Sequence, residues 1–149
     1  MSAKKNSKLI ELPKDYLVLM MESGYAYLAA RKLEEAGELF EGICLLAPKS
    51  EVPRIALGNV FSAKKKYADA LREYRKAISL EPTSALAHAH MAEVLLFQNK
   101  KPEAVKLLQK ALALEPQGKA ADFAKALMRA VEDGILPAVT PPIPQPPRQ

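Results

Sequence analysis

The stretch YADALREYRKAISLEP, residues 67–82, has a counterpart one fixed interval to either side: LEEAGELFEGICLLAP (33–48) and KPEAVKLLQKALALEP (101–116). Each closes on a leucine, one linking residue and a proline, so that Pro48, Pro82 and Pro116 recur with a period of 34. A fixed period of this size means that the chain is built from stacked copies of one small unit, and it decides the fold before any single motif does.

Placing each of these prolines at position 32 of its unit divides the chain into 17–50, 51–84 and 85–118. Position 8 is then Gly24, Gly58 and Ala92, and position 20 is Ala36, Ala70 and Ala104. Position 11 is Tyr27, Phe61 and Leu95, position 24 is Phe40, Tyr74 and Leu108, and position 27 is Ile43, Ala77 and Ala111. This small–large alternation at period 34 is the pattern of the tetratricopeptide repeat (TPR). Its physics is that of two antiparallel helices joined by a short turn. Small residues let the backbones approach, bulky residues fill the space beside them, and proline stops the second helix because it lacks an N–H and disfavours helix in the residue before it. The intra-unit turns, RK (31–32), KKK (64–66) and QNKK (98–101), are polar. Pro102 suits the first helical turn that follows, where its missing donor costs nothing.

The expected architecture is all-α: a TPR right-handed superhelix of three helical hairpins plus a C-terminal capping helix. Residues 1–14 read as a basic N-terminal arm and 15–134 as the repeat domain. The capping helix, 119–134, carries Ala120, Phe123, Ala124, Leu127 and Val131 on one face, with Gly134 as its stop. Residues 135–149 read as a disordered tail, because six prolines between 137 and 149 favour extended polyproline II and cannot pack a core.

The composition narrows the function. The net charge of +5 is spread among 17 acids, without an aromatic-plus-arginine platform, so nucleic acid is not the expected partner. No apolar run approaches the ~20 residues of a membrane-spanning helix, and the single cysteine, Cys44, cannot form an internal disulfide; a cytoplasmic protein without membrane insertion is expected. Enzyme chemistry finds no support. The histidines His88 and His90, two residues apart on a helix, point to different sides, so no metal site is expected. Cys44 reads as a buried structural thiol, and no glycine-rich loop or other cofactor motif is present.

In a TPR stack the first helix of each unit lines the inner surface. The candidate peptide-binding groove is therefore Val18, Met21, Tyr25 and Leu28 from the first unit, Val52, Ile55 and Asn59 from the second, and Leu86, His90, Glu93, Leu96 and Phe97 from the third. The TPR proteins that clamp acidic C-termini place Lys, Arg and Asn at positions that here hold Met21, Tyr25, Ala56, Leu86 and His90. With no cation to meet a buried carboxylate, that ligand is not expected. What remains is an apolar groove for an extended or helical peptide, with the Asn59 amide as a contact for peptide backbone and an N-terminal arm or a second copy of the protein as the alternative cover. The lysines and arginine of the turns (Arg31, Lys32, Lys64, Lys65, Lys66, Lys100 and Lys101) fall along one solvated edge, which would also steer an acidic partner.

The joint between the first two units resembles the TPR chaperones of bacterial type III secretion. Their Phe–x–x–(Leu/Ile)–Cys–(Val/Leu)–Leu run, Leu–Gly pair and Tyr–x–x–Ala turn are matched by Phe40, Ile43, Cys44, Leu45, Leu46, Leu57, Gly58, Tyr67 and Ala70. The resemblance implies a small cytoplasmic chaperone that keeps a secretion substrate soluble for export; the repeat alone allows the alternative of a generic TPR protein–protein interaction adaptor in a cytoplasmic or membrane-associated complex. In the translocator branch of that family the groove, here Tyr25, Leu28, Ile55, Asn59 and Leu96, would take an extended peptide of a translocator. In the needle-subunit branch the stack would grip an amphipathic helix instead, and a homodimer or a small co-chaperone would be a further partner.

Overall fold

The computed structural model describes residues 12–135. Within them the chain forms seven helices and no strand: α1 (Lys14–Ala29), α2 (Leu33–Leu46), α3 (Val52–Ala63), α4 (Tyr67–Leu80), α5 (Ala85–Phe97), α6 (Lys101–Leu114) and α7 (Lys119–Glu132). The first six pair as three antiparallel hairpins, each hairpin packs on the next, and α7 covers α5 and α6. This is the all-α TPR fold expected from the period. Helix α1 begins at Lys14, ahead of the first repeat boundary, with Pro13 as its N-cap. Most of the basic arm and nearly all of the proline-rich tail lie outside the described residues.

The repeat is written into the backbone as well as the side chains. Arg31, Lys65 and Asn99, all at position 15, adopt left-handed φ values of 62°, 59° and 61°. After each, the amide of the following residue (Lys32, Lys66, Lys100) donates to a carbonyl of the preceding turn (Tyr27, Phe61, Leu95). That is the Schellman closure, and it satisfies carbonyls that the helix end would otherwise leave bare. Helix α7 ends in the same way, with Gly134 at φ 68° and the Ile135 amide donating to the Ala130 carbonyl. The third turn is shorter by one than its polar run suggested, since Lys101 already opens α6 with Pro102 in its first turn. At the other end of each hairpin the helix stops just before its proline, at Leu46, Leu80 and Leu114. Glu81 and Glu115, which precede Pro82 and Pro116, are extended, as the proline ring requires.

Within a hairpin the small–large rule acts through direct contact. A Cβ built on Gly24 would lie 2.4 Å from the Phe40 ring, and one on Gly58 would lie 2.4 Å from the Tyr74 ring. Both rings are completely buried, so each glycine is the space its partner ring occupies. One cluster of buried side chains joins α1–α3 and a larger one joins α3–α7, with Phe61 packed against both. Helix α5, ALAHAHMAEVLLF, is apolar on every side, and it has neighbours on every side: α3, α4, α6 and α7. By contrast α1, among the described elements, touches only α2 and α3 and leaves Tyr16, Val18 and Leu19 more than half exposed.

Candidate functional site

The first helices of the three hairpins, α1, α3 and α5, present the inner surface, and their side chains sort into three groups. The first is a cavity of about 370 Å³ lined by Tyr25 of α1, Glu51, Val52 and Ile55 at the start of α3, the α4–α5 loop with Glu81, Thr83 and Ser84, Ala85 and Leu86 of α5, and Glu115 beyond α6. Four of the residues expected to bind peptide, Tyr25, Val52, Ile55 and Leu86, meet here. Tyr25 is 41% exposed and packs edge-on against Phe40, with ring centroids 5.3 Å apart. Its position is therefore set by the same ring that Gly24 admits. Burial raises the Tyr25 phenol above its ordinary pKa, so it stays a neutral hydrogen-bonding group at physiological pH. Ser84 caps α5 by accepting from the Ala87 amide, and Thr83 donates to Glu81 Oε1 at 2.6 Å; together they hold the loop wall in place.

The second group surrounds the ring of Tyr74. Its hydroxyl donates to Asn59 Oδ1 at 2.7 Å, and its face stacks on His90 with centroids 5.8 Å apart. His90 in turn packs against Phe123 of α7 at 4.8 Å, and its Nδ1 lies 3.5 Å from Glu93 Oε2 without making a hydrogen bond. Burial, with the Glu93 charge adding to it, pushes the Tyr74 phenol well above its ordinary value. Asn59 Oδ1 is thus already engaged, which leaves its amide NH₂ as the donor end of the side chain.

The third group belongs to packing rather than to an open surface. Leu96 is 1% exposed and Glu93 8%, while Phe97 stacks on Tyr67 at 5.6 Å and Met21 and Leu28 join the α1–α3 cluster. Leu96 does not line an accessible groove in this chain. Its helix, α5, is packed among four others, α3, α4, α6 and α7. Ile55, at 3% exposed, forms cavity floor more than contact surface. Val18 stands apart, 55% exposed on the outer turn of α1.

The repeat pattern does not single out Tyr74, Phe123, Glu81 and Glu115 as site residues. It marks Tyr74 and Phe123 only as packing groups, although a tyrosine where the neighbouring repeats carry Phe40 and Leu108 already signals a hydroxyl needing a partner. The glutamates carry a signal too: both stand immediately before a repeat proline.

The site has the character of a binding surface. Among the described residues no three His, Cys, Asp or Glu side chains form a group that would hold a metal ion. His88 and His90 diverge: His88 is buried and its Nδ1 donates to the Ser84 carbonyl at 2.7 Å, whereas His90 sits under Phe123. Cys44 is buried, and desolvation raises its pKa against the opposing pull of Arg54, which keeps it a thiol. No described helix is long and apolar enough to cross a membrane.

Residues 61–130 match the family model of the tetratricopeptide repeat. No curated protein matches the sequence. Among solved structures, the type III secretion translocator chaperone SycD of Yersinia enterocolitica aligns with a TM-score of 0.76 at 20% identity, over 89% of this chain and 99% of that one. PcrH in complex with the chaperone-binding region of PopD aligns with a TM-score of 0.69 at 23% identity, over 83% and 96% of the two chains. The first TPR of Spaghetti, bound to an HSP90 peptide, gives 0.66 at 21% identity, over 83% and 98%. At these identities the likeness is one of fold.

Proposed function

We propose that this TPR array is a cytoplasmic, non-enzymatic chaperone that takes an apolar segment of a type III secretion substrate, a translocator or needle subunit, into its inner surface and keeps it soluble for export. The observation that carries the reading is the convergence of Tyr25, Val52, Ile55 and Leu86, from three successive hairpins, on one cavity. Side chains of an incoming peptide bury against these groups, each worth roughly 1.5–3 kcal/mol before the costs of ordering. The Asn59 amide adds a polar contact of the kind that orients a peptide backbone. The likeness in fold to SycD and PcrH supports the reading, as does the Phe40–Cys44–Leu46 run at the first joint.

The test is capture of the tagged protein from its host, with mass spectrometry of what co-purifies, in parallel with a Tyr25→Asp/Leu86→Asp variant. Both positions are exposed enough to change without opening the core. One dominant exported protein, lost from the variant, is the expected result. A set of resident proteins bound equally by both forms would instead make this a TPR adaptor whose working surface lies elsewhere.

A further inference from the structure

The cavity that holds Tyr25, Val52, Ile55 and Leu86 is walled by three carboxylates, Glu51, Glu81 and Glu115, and among the described residues no Lys, Arg or His lines it. In a chain with 22 basic residues against 17 acidic ones, this is the reverse of the overall balance. The imbalance has a spatial cause. Arg31, Lys32, Lys64, Lys65, Lys66 and Lys100 occupy the intra-hairpin turns, at one end of the paired helices, while the three glutamates sit at the opposite end. At that end Lys49, Arg54, Lys119 and Lys125 stand outside the cavity lining, Arg54 paired with Glu73 and Lys125 donating to the Pro116 carbonyl. Helices of three to four turns separate the two ends by about 18–24 Å, more than twice the ~8 Å over which charges are felt at physiological salt. Among the described residues none of the three glutamates is in a salt bridge. Glu81 is bound by the Thr83 hydroxyl and amide, which hold its carboxyl below the ordinary range and so keep it charged. Nor do the three gather tightly enough to hold a metal ion. A group that crosses the apolar part of the cavity, Tyr25, Val52, Ile55 and Leu86, to reach these carboxylates needs a long apolar stem and a cationic head, which describes the side chains of Lys and Arg.

We propose that the cavity selects a peptide in which an apolar anchor is flanked by Lys or Arg, the anchor seated on Tyr25, Val52 and Leu86 and the cation among Glu51, Glu81 and Glu115. The inference rests on the peptide-binding reading above and gives it a substrate class: an apolar, basic segment. It is opposite in charge to the acidic C-termini that other TPR grooves clamp.

The experiment uses three labelled synthetic peptides of one Gly/Ser sequence carrying two leucines, with Lys, Gln or Glu in the positions beside them. Binding is followed by fluorescence anisotropy against the full chain and against a Glu81→Gln/Glu115→Gln variant, with circular dichroism to verify that the variant is folded. The expected order of affinity is Lys over Gln over Glu, with roughly a fivefold step between Lys and Gln that shrinks at high salt and vanishes in the variant. Equal affinities for the three peptides, a Lys preference undiminished in the variant, or no binding of any peptide would each overturn the proposal. The host capture separates this failure from that of the chaperone reading. A cargo held by the Gln variant as well as by the wild type, yet lost with Tyr25→Asp/Leu86→Asp, removes the charge preference and leaves the function standing.

Discussion

Gly58 and Tyr74 illustrate how much a single hydrogen atom decides in this fold. The Tyr74 ring fills the place where a Cβ at position 58 would stand, and from there its hydroxyl donates to the Asn59 side-chain oxygen. Gly42 also lies inside a helix, α2, yet nothing lies within 4 Å of its missing Cβ. The same substitution should therefore act with opposite signs. Gly58→Ala gains the helix propensity of alanine but must displace a fully buried ring, a net loss of about 1–3 kcal/mol. Gly42→Ala meets no obstacle and should stabilise by roughly 0.5–1 kcal/mol. Urea denaturation of the two variants beside the wild type measures both, and destabilisation by Gly42→Ala comparable to that of Gly58→Ala would contradict the packing argument. Gly58→Ala should also weaken cargo binding, since the ring it moves supports Asn59 and His90.

At the scale of elements, the turns carry strain that the repeat tolerates. Arg31 and Lys65 hold left-handed backbone that glycine adopts freely and other residues at a cost of about 1–2 kcal/mol. Lys65→Gly is expected to raise stability by roughly 0.5–1 kcal/mol, the relief of strain exceeding the added flexibility of the unfolded chain. Asn99, of a type that enters this region with less penalty, should gain less from the same change. Thermal melts of the two single variants decide the matter, and an equal or greater gain at position 99 would count against it. The helices differ in the same legible way. α5, apolar all round, becomes the central element, whereas α1, at the open end of the stack, keeps Tyr16 and Leu19 largely exposed.

For the whole molecule, stacking makes stability a sum over neighbours. Helix α7 is the last term: Ala120, Ala121, Ala124 and Leu127 are buried on its inner face, and no helix follows it among the described residues. Leu127→Ala removes buried side-chain volume there and should cost about 2–5 kcal/mol. Because α7 contacts α5 and α6 and not α1 or α2, amide hydrogen exchange should accelerate first in α5–α7, with α1 and α2 least affected. Uniform acceleration along the chain would mean that the array unfolds as one cooperative block.

What the sequence alone determined is local in origin. The period of 34, the hairpins, the glycine–ring pairs and the prolines that end α4 and α6 all act within one unit or between immediate neighbours, so they recur in register and can be counted. The divergence of His88 and His90 follows from helical geometry alone and was legible for the same reason. The site was legible only in part. Position numbers say which face of a helix a residue occupies, and they put Tyr25, Val52, Ile55 and Leu86 on the inner face, where all four line one cavity. They do not say how closely the next element approaches that face. Only the tertiary structure decided that Leu96 and Glu93 are buried, within the four helices that pack on α5, and only it brought Glu51, Glu81 and Glu115 to one cavity. Those three carboxylates share no helix and no local pattern; the stacking of hairpins sets their neighbourhood, and that neighbourhood sets the charge a ligand meets.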